Sequence, residues 1–142
     1  MPTYHHNGYT ISTSQRKLNA DRVHQMLSEE SYWARGRTPD AVARSIKHSL
    51  CFGVYQGDEM VGFARLITDY TTHVYLCDVL ITEAHRGRGL GKWLMTCILK
   101  HPELQTVYRW FLLTRDAHGL YEQFGFHNAE DPTRYMERVV KK

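Results

Sequence analysis

The chain lacks any apolar run of about 18 residues, so no helix of it is expected to cross a membrane. Cysteine is scarce: Cys51, Cys77 and Cys97. The number is odd and no two stand in C-x-x-C spacing, which argues against a disulfide framework or a zinc ribbon. Each lies in an apolar segment and reads as a small buried hydrophobe of a reducing compartment. No metal is expected. Charge of one sign is also lacking. Eighteen Lys+Arg stand against 15 Asp+Glu, a formal net charge of +3, with no Lys/Arg block outside the loop near residue 86. A nucleic-acid binder would be expected to carry a basic stripe, so nucleic acid is not an expected partner. The polar stretch 1–10, with His5 and His6, lacks the apolar core of a signal peptide, and the expected location is cytoplasmic.

What is present fits an ordinary globular chain. At 142 residues, 42% hydrophobic and 23% charged, it is long enough for one cored domain, expected over 1–142. Residues 8–14 (G-Y-T-I-S-T-S) alternate and read as a first strand. Asn19 or Asp21 caps a helix over 20–29. Thr38 and Pro39 start a second, running to about Ser49. Strands at 50–55 and 60–68 flank the turn Gln56-Gly57-Asp58-Glu59. A largely apolar strand follows at 74–81. The clearest helix spans 90–100, with Leu90, Trp93, Leu94, Cys97 and Ile98 on one face. A strand at 107–114, a short helix ended by Gly125, and a closing strand pair at 126–129 and 134–140 complete the order. Hairpins followed by β-α-β predict an α/β chain with a mixed sheet and helices on its faces.

Residues 86–92 read R-G-R-G-L-G-K between a strand and a helix. Gly87, Gly89 and Gly91 let the backbone approach a ligand. Successive N–H groups of such a turn, with the start of the next helix, form a cradle for an anion. Arg86, Arg88 and Lys92 add charge for phosphates. Together these are the chemistry of a pyrophosphate site. A P-loop needs a spacing of five between its glycines and Ser or Thr after the Lys. Here Gly87 and Gly91 are four apart and Trp93 follows Lys92. A dinucleotide fingerprint needs G-x-G-x-x-G in an opening β-α-β unit, and this loop is G-x-G-x-G late in the chain.

The motif R-G-R-G-L-G resembles the [Q/R]-x-x-G-x-[G/A] signature of the GNAT superfamily of acetyl-CoA-dependent N-acetyltransferases. Three further features arrive in that family's order: C-D-V-L-I followed by T-E-A-H-R, W-F-L-L-T, and A-H-G-L-Y-E-Q-F-G-F. The resemblance covers roughly residues 8–140. It implies a GNAT-like fold, a mostly antiparallel, splayed central sheet flanked by about four helices, and acetyl-CoA as co-substrate. It also implies that Val79, Leu80 and Ile81 form a bulged strand, splayed from 110–114, along which the pantetheine arm pairs. Arg86, Gly87, Arg88, Gly89, Leu90, Gly91 and Lys92 would hold the pyrophosphate. Asp116 stands where many family members have an Asn that touches the cofactor arm. An ionised Asp cannot donate as an amide does, and Asp116 has a second reading as a helix cap.

Tyr121 matches the family's L-Y-x-x-x-G-F and is the candidate general acid: a phenol near the sulfur can protonate the leaving thiolate. Its alternative is a core tyrosine sharing a face with Leu120 and Phe124. Asp78 interrupts an apolar strand, where a carboxylate costs desolvation unless it meets a cation, a donor or water. It reads either as the partner of the acceptor's ammonium or as a structural group bonded to Arg65 or His73. Acceptor contacts are expected from Tyr32, Trp33, Arg35 and Arg37, with Thr68 and Asp69. Aromatics suit an amine or ring and arginines a carboxylate, which fits an amino-acid-like or aromatic amine. The leading reading is acetyl transfer to a small-molecule primary amine. Acetylation of a protein, peptide or aminoacyl-tRNA is the alternative, and a non-catalytic acyl-CoA sensor would be expected to lack the phenol. A homodimer stays open.

Overall fold

A computed structural model describes residues 2–141. The chain opens with a hairpin, β1 (Thr3–His6) and β2 (Tyr9–Ser12), paired Thr3 to Ser12 and His6 to Tyr9. β1 is an addition to the sequence reading. Asn7 and Gly8 between the strands both take positive φ (49° and 82°), as a tight hairpin turn requires. Next come α1 (Ala20–Glu30) and α2 (Pro39–Lys47). The Asn19 side chain accepts from Arg22 N–H and Thr38 Oγ1 from Ala41 N–H, so both expected caps form.

β3 (Leu50–Gln56), β4 (Glu59–Thr68) and β5 (His73–Ile81) follow, then α3 (Leu90–Leu99), β6 (Arg109–Leu112) and the short α4 (His118–Glu122). The six strands lie in chain order, β1 to β6. All pairs are antiparallel except β5–β6, which α3 joins as a parallel crossover. Mixed α/β with a mostly antiparallel sheet and four helices is the architecture the sequence predicts, though the six strands are not the seven it expects.

Each face of the sheet carries a core. On one side Leu94, Met95 and Ile98 of α3 pack on Ile11, Phe52, Val54, Leu66 and Leu76. On the other, Val23, Met26 and Leu27 of α1 and Val42 and Ile46 of α2 pack on Cys51, Tyr55, Phe63 and Leu80. A strand alternates its side chains, so Leu76 and Leu80 of β5 should share a face. They do not: Leu76 belongs to the first cluster and Leu80 to the second. Between them β5 is bulged. Phe63 pairs with Leu80 and Arg65 with Cys77, so Asp78 and Val79 stand opposite Ala64 alone. Asp78 takes φ 52°, the left-handed conformation that Asp tolerates better than branched residues.

The closing strands expected at 126–129 and 134–140 are absent among the described residues. Apart from the half-buried Phe126 this stretch is exposed, with one 3-10 turn at Pro132–Arg134, and β6 is the last strand of the sheet. Its apolar residues come in adjacent pairs, Tyr135-Met136 and Val139-Val140. Adjacent residues of a strand point to opposite faces, so no single face is apolar enough to bury. The helix expected up to Phe124 is likewise only five residues long.

Candidate active site

The site begins where β5 and β6 part. Their pairing runs from His73–Arg109 to Leu76–Leu112 and stops, while β5 continues against β4 as far as Ile81. Residues 77–81 thus present a backbone edge to open space, the splay that the resemblance implies. Val79, Leu80 and Ile81 line a cleft of about 320 Å³ there, with Glu30, Tyr32, Trp33, Arg86 and Asp116.

The glycine turn lies beyond the end of β5. Gly87 and Gly89 both have φ 77°, and a Cβ on either would project into empty space. Gly89 is the N-cap of α3, so the first N–H groups of that helix, at Leu90, Gly91 and Lys92, are left for a ligand. The arginines are fixed rather than loose. Arg86 Nε donates to Ile81 O at 2.8 Å, and its Nη2 is 3.7 Å from Glu30 Oε1. Arg88 Nη1 donates to the Tyr9 hydroxyl at 2.8 Å, and that hydroxyl lies 2.9 Å from His85 Nδ1. A backbone cradle with two tethered guanidiniums fits a pyrophosphate.

Asp78 is a buried acid held by three side chains. Its side chain is 1% exposed. Arg37 Nη1 donates to Oδ2 at 2.7 Å, Arg65 Nε to the same oxygen at 2.8 Å, and Trp33 Nε1 to Oδ1 at 2.9 Å. Burial pushes the Asp78 carboxyl up, but the two guanidiniums outweigh it and hold it below the ordinary carboxylate value. Of the two partners the sequence suggests for a structural Asp78, Arg65 is the one found. The carboxylate does not line the cleft. It ties the loop after α1 to the bulge.

The bonds to Asp78 also decide the places of Trp33 and Arg37. Trp33 reaches the cleft with its indole anchored below, and Arg37 is spent on Asp78. Tyr32 packs edge-on against Trp33, at 5.1 Å and 86°. Arg115, just after β6, lies over Tyr32 with its guanidinium carbon 3.7 Å from the ring centre. Arg35 is exposed and does not line the cleft. Nor do Thr68 and Asp69, which close the β4–β5 turn. Thr68 Oγ1 donates to His73 O, and Asp69 accepts from the N–H groups of Thr71, Thr72 and His73.

Tyr121 projects from α4 and is partly buried against the α3-side core, edge-on to Phe126 at 5.9 Å. Burial, then the neighbouring Tyr32, raises its phenol above the ordinary value, so it stays protonated at neutral pH. Tyr121 does not line the 320 Å³ cleft; with Trp110, Leu112, Phe124 and Phe126 it lines a second cavity, of about 880 Å³. Asp116 lines the cleft but does not cap α4: the N-cap is Ala117, whose N–H goes to Thr114 Oγ1. Glu30 and Arg115 are residues that the sequence reading lacks, and Arg65 enters it only as a partner of a structural Asp78. Only Arg65 had a signal, as a charged residue within an apolar strand.

Among the described residues there is no cluster of His, Cys, Asp and Glu able to hold a metal, and no helix is long and apolar enough to cross a membrane. Comparison with known proteins agrees with the geometry. The chain is 32% identical over 136 residues to a Gibberella zeae protein named as a putative acetyltransferase, covering 80% of this chain and 75% of that one. The crystal structure of a protein of Xanthomonas campestris, described as a putative acetyltransferase of the GNAT family, superposes with a TM-score of 0.89. It has 43% identity and 93% coverage of both chains. A Staphylococcus aureus protein of unknown function shares the fold at 21% identity and a TM-score of 0.74, over 94% of this chain and 99% of that one. The family model described as Acetyltransferase (GNAT) family matches residues 20–126. That match runs from the first residue of α1 to the residue after the Gly125 turn and takes in the whole of the split-strand site, so the chain belongs to the GNAT family of acetyltransferases.

Proposed function

We propose that the protein transfers the acetyl group of acetyl-CoA to the nitrogen of a small-molecule primary amine. The observation that carries this reading is the parting of β5 from β6 next to the glycine turn. A pyrophosphate held by the N–H groups of 87–92, with Arg86 and Arg88, lies at the end of β5. A pantetheine arm running back from it meets the unpaired edge of Val79, Leu80 and Ile81, whose backbone groups bond it as they would another strand. Asp116 faces the same cleft. Bound acetyl-CoA supplies a thioester, whose carbonyl carbon is open to attack by a neutral amine.

The chain's own part is to orient and to move a proton. The C–N bond forms as the C–S bond breaks, and the sulfur leaves with the electron pair. Tyr121 gives its phenolic proton to that sulfur, a role its raised pKa allows. The nitrogen's extra proton leaves to water. Asp78 acts behind the wall: by holding Trp33 and Arg37 it fixes the acceptor side of the cleft. Small molecules are favoured over macromolecules because the cleft is small and walled on one side by Tyr32 and Trp33 of the loop after α1.

Titration calorimetry and a thiol-release assay test the reading together. Acetyl-CoA is expected to bind in preference to ATP or NAD, and free thiol is expected to appear only when a primary amine is added. Tight ATP binding with no response to acetyl-CoA would overturn it.

A further inference from the structure

The charge around the acceptor side is not balanced. Asp78 takes two guanidiniums on one oxygen, so Arg37, Arg65 and Asp78 together carry a surplus of one positive charge. Arg65 is nearly enclosed, at 12% side-chain exposure, and Arg37 keeps 30%. Arg115 is laid against Tyr32, a wall residue of the cleft. Among the described residues no carboxylate is in ion-pair range of Arg115, whose stacked face leaves the N–H edge of the guanidinium uncommitted. Of the two carboxylates on the wall, Glu30 is taken by the Glu83 N–H at 2.6 Å and by Arg86, which leaves Asp116. Arg115 is itself exposed and does not line the cleft, but a planar guanidinium with no carboxylate partner, held against an aromatic wall residue, suits one ligand chemistry above others, a carboxylate.

We infer that the amine acceptor carries a carboxylate and that Arg115, stacked on Tyr32, is the residue that seats it. The inference rests on the acetyltransferase reading and narrows its substrate class to amino-acid-like amines. A decarboxylated amine would leave Arg115 unpaired and lose the charge-assisted bonds, while its body still met Trp33.

The test uses matched pairs that differ only in the carboxylate: L-phenylalanine and phenethylamine, L-tryptophan and tryptamine, L-lysine and cadaverine. With acetyl-CoA and the intact protein, at least one carboxylated member is expected to have the higher kcat/KM of its pair. In Arg115→Gln that preference is expected to fall by about 10–100-fold, as the loss of a charge-assisted bond implies. A loss of packing alone would lower both members equally and leave the ratio in place. An unchanged ratio, a preference for the decarboxylated amines, or transfer to none of the six would each overturn the inference. Failure of the underlying reading looks different, because acetyl-CoA would then not bind.

Discussion

Asp78→Asn separates two roles for one carboxylate. In the folded protein Asp78 accepts three hydrogen bonds and is 1% exposed. Asn keeps the shape and tolerates φ 52°, so the bulge is not strained by the change. What is lost is the charge between Arg37 and Arg65, which leaves two cations facing each other with little water. Breaking a buried pair by removing one partner costs about 3–5 kcal/mol. Arg37 is partly solvated, which places the expected loss near the lower end, about 3 kcal/mol, or a fall in Tm of roughly 10 °C for a chain this size. The pH dependence has a definite sign. A carboxyl held below its unfolded value contributes stability that is fully present above about pH 4 and is lost as pH falls through the folded value. The variant should therefore show a flatter acid limb than the parent below about pH 4. Urea unfolding at pH 7 and at pH 3 measures both quantities. A variant as stable as the parent at pH 7, with only the acceptor KM raised, would refute the structural account and return Asp78 to the acceptor's ammonium.

Gly89→Glu is expected to abolish acetyl-CoA binding in calorimetry, because φ 77° strains any side chain there and the carboxylate would fill the phosphate cradle. His101 is buried against Phe52, and its Nδ1 accepts the Glu103 N–H; burial holds its pKa below the ordinary value. The unfolded chain then binds a proton at about pH 6.5 that the folded chain resists, so stability measured by urea unfolding should fall as pH drops from 7 to 5. A His101→Phe variant that keeps the parent's pH slope would rule that histidine out as its source.

The sequence discloses the fold in proportion to how local each signal is. Thr38-Pro39 and Asn19 mark helix starts by short-range bonding, and both caps form. Leu90 to Ile98 declares α3 by its spacing. The β5 bulge leaves one trace, an acid in an apolar strand, but Asp78's partners lie 13 to 45 residues away, and no spacing rule reaches them. The contact of Arg115 with Tyr32 likewise joins two loops far apart in the chain. β1 is short and polar, though Asn7-Gly8 is a sequence signal for its hairpin. At 134–140 the error runs the other way: strand-forming residues without alternation suggest a strand that has no face to bury.

The most direct test of the proposed chemistry is single-turnover acetyl transfer by the parent and by Tyr121→Phe, on any amine that the thiol-release assay identifies. The variant loses the phenolic proton and keeps the ring against Phe126. The account predicts an acetyl-CoA affinity within about twofold of the parent and a transfer rate lower by about 10²–10⁴-fold. A variant that transfers acetyl at the parent's rate would contradict it and leave Tyr121 a packing residue.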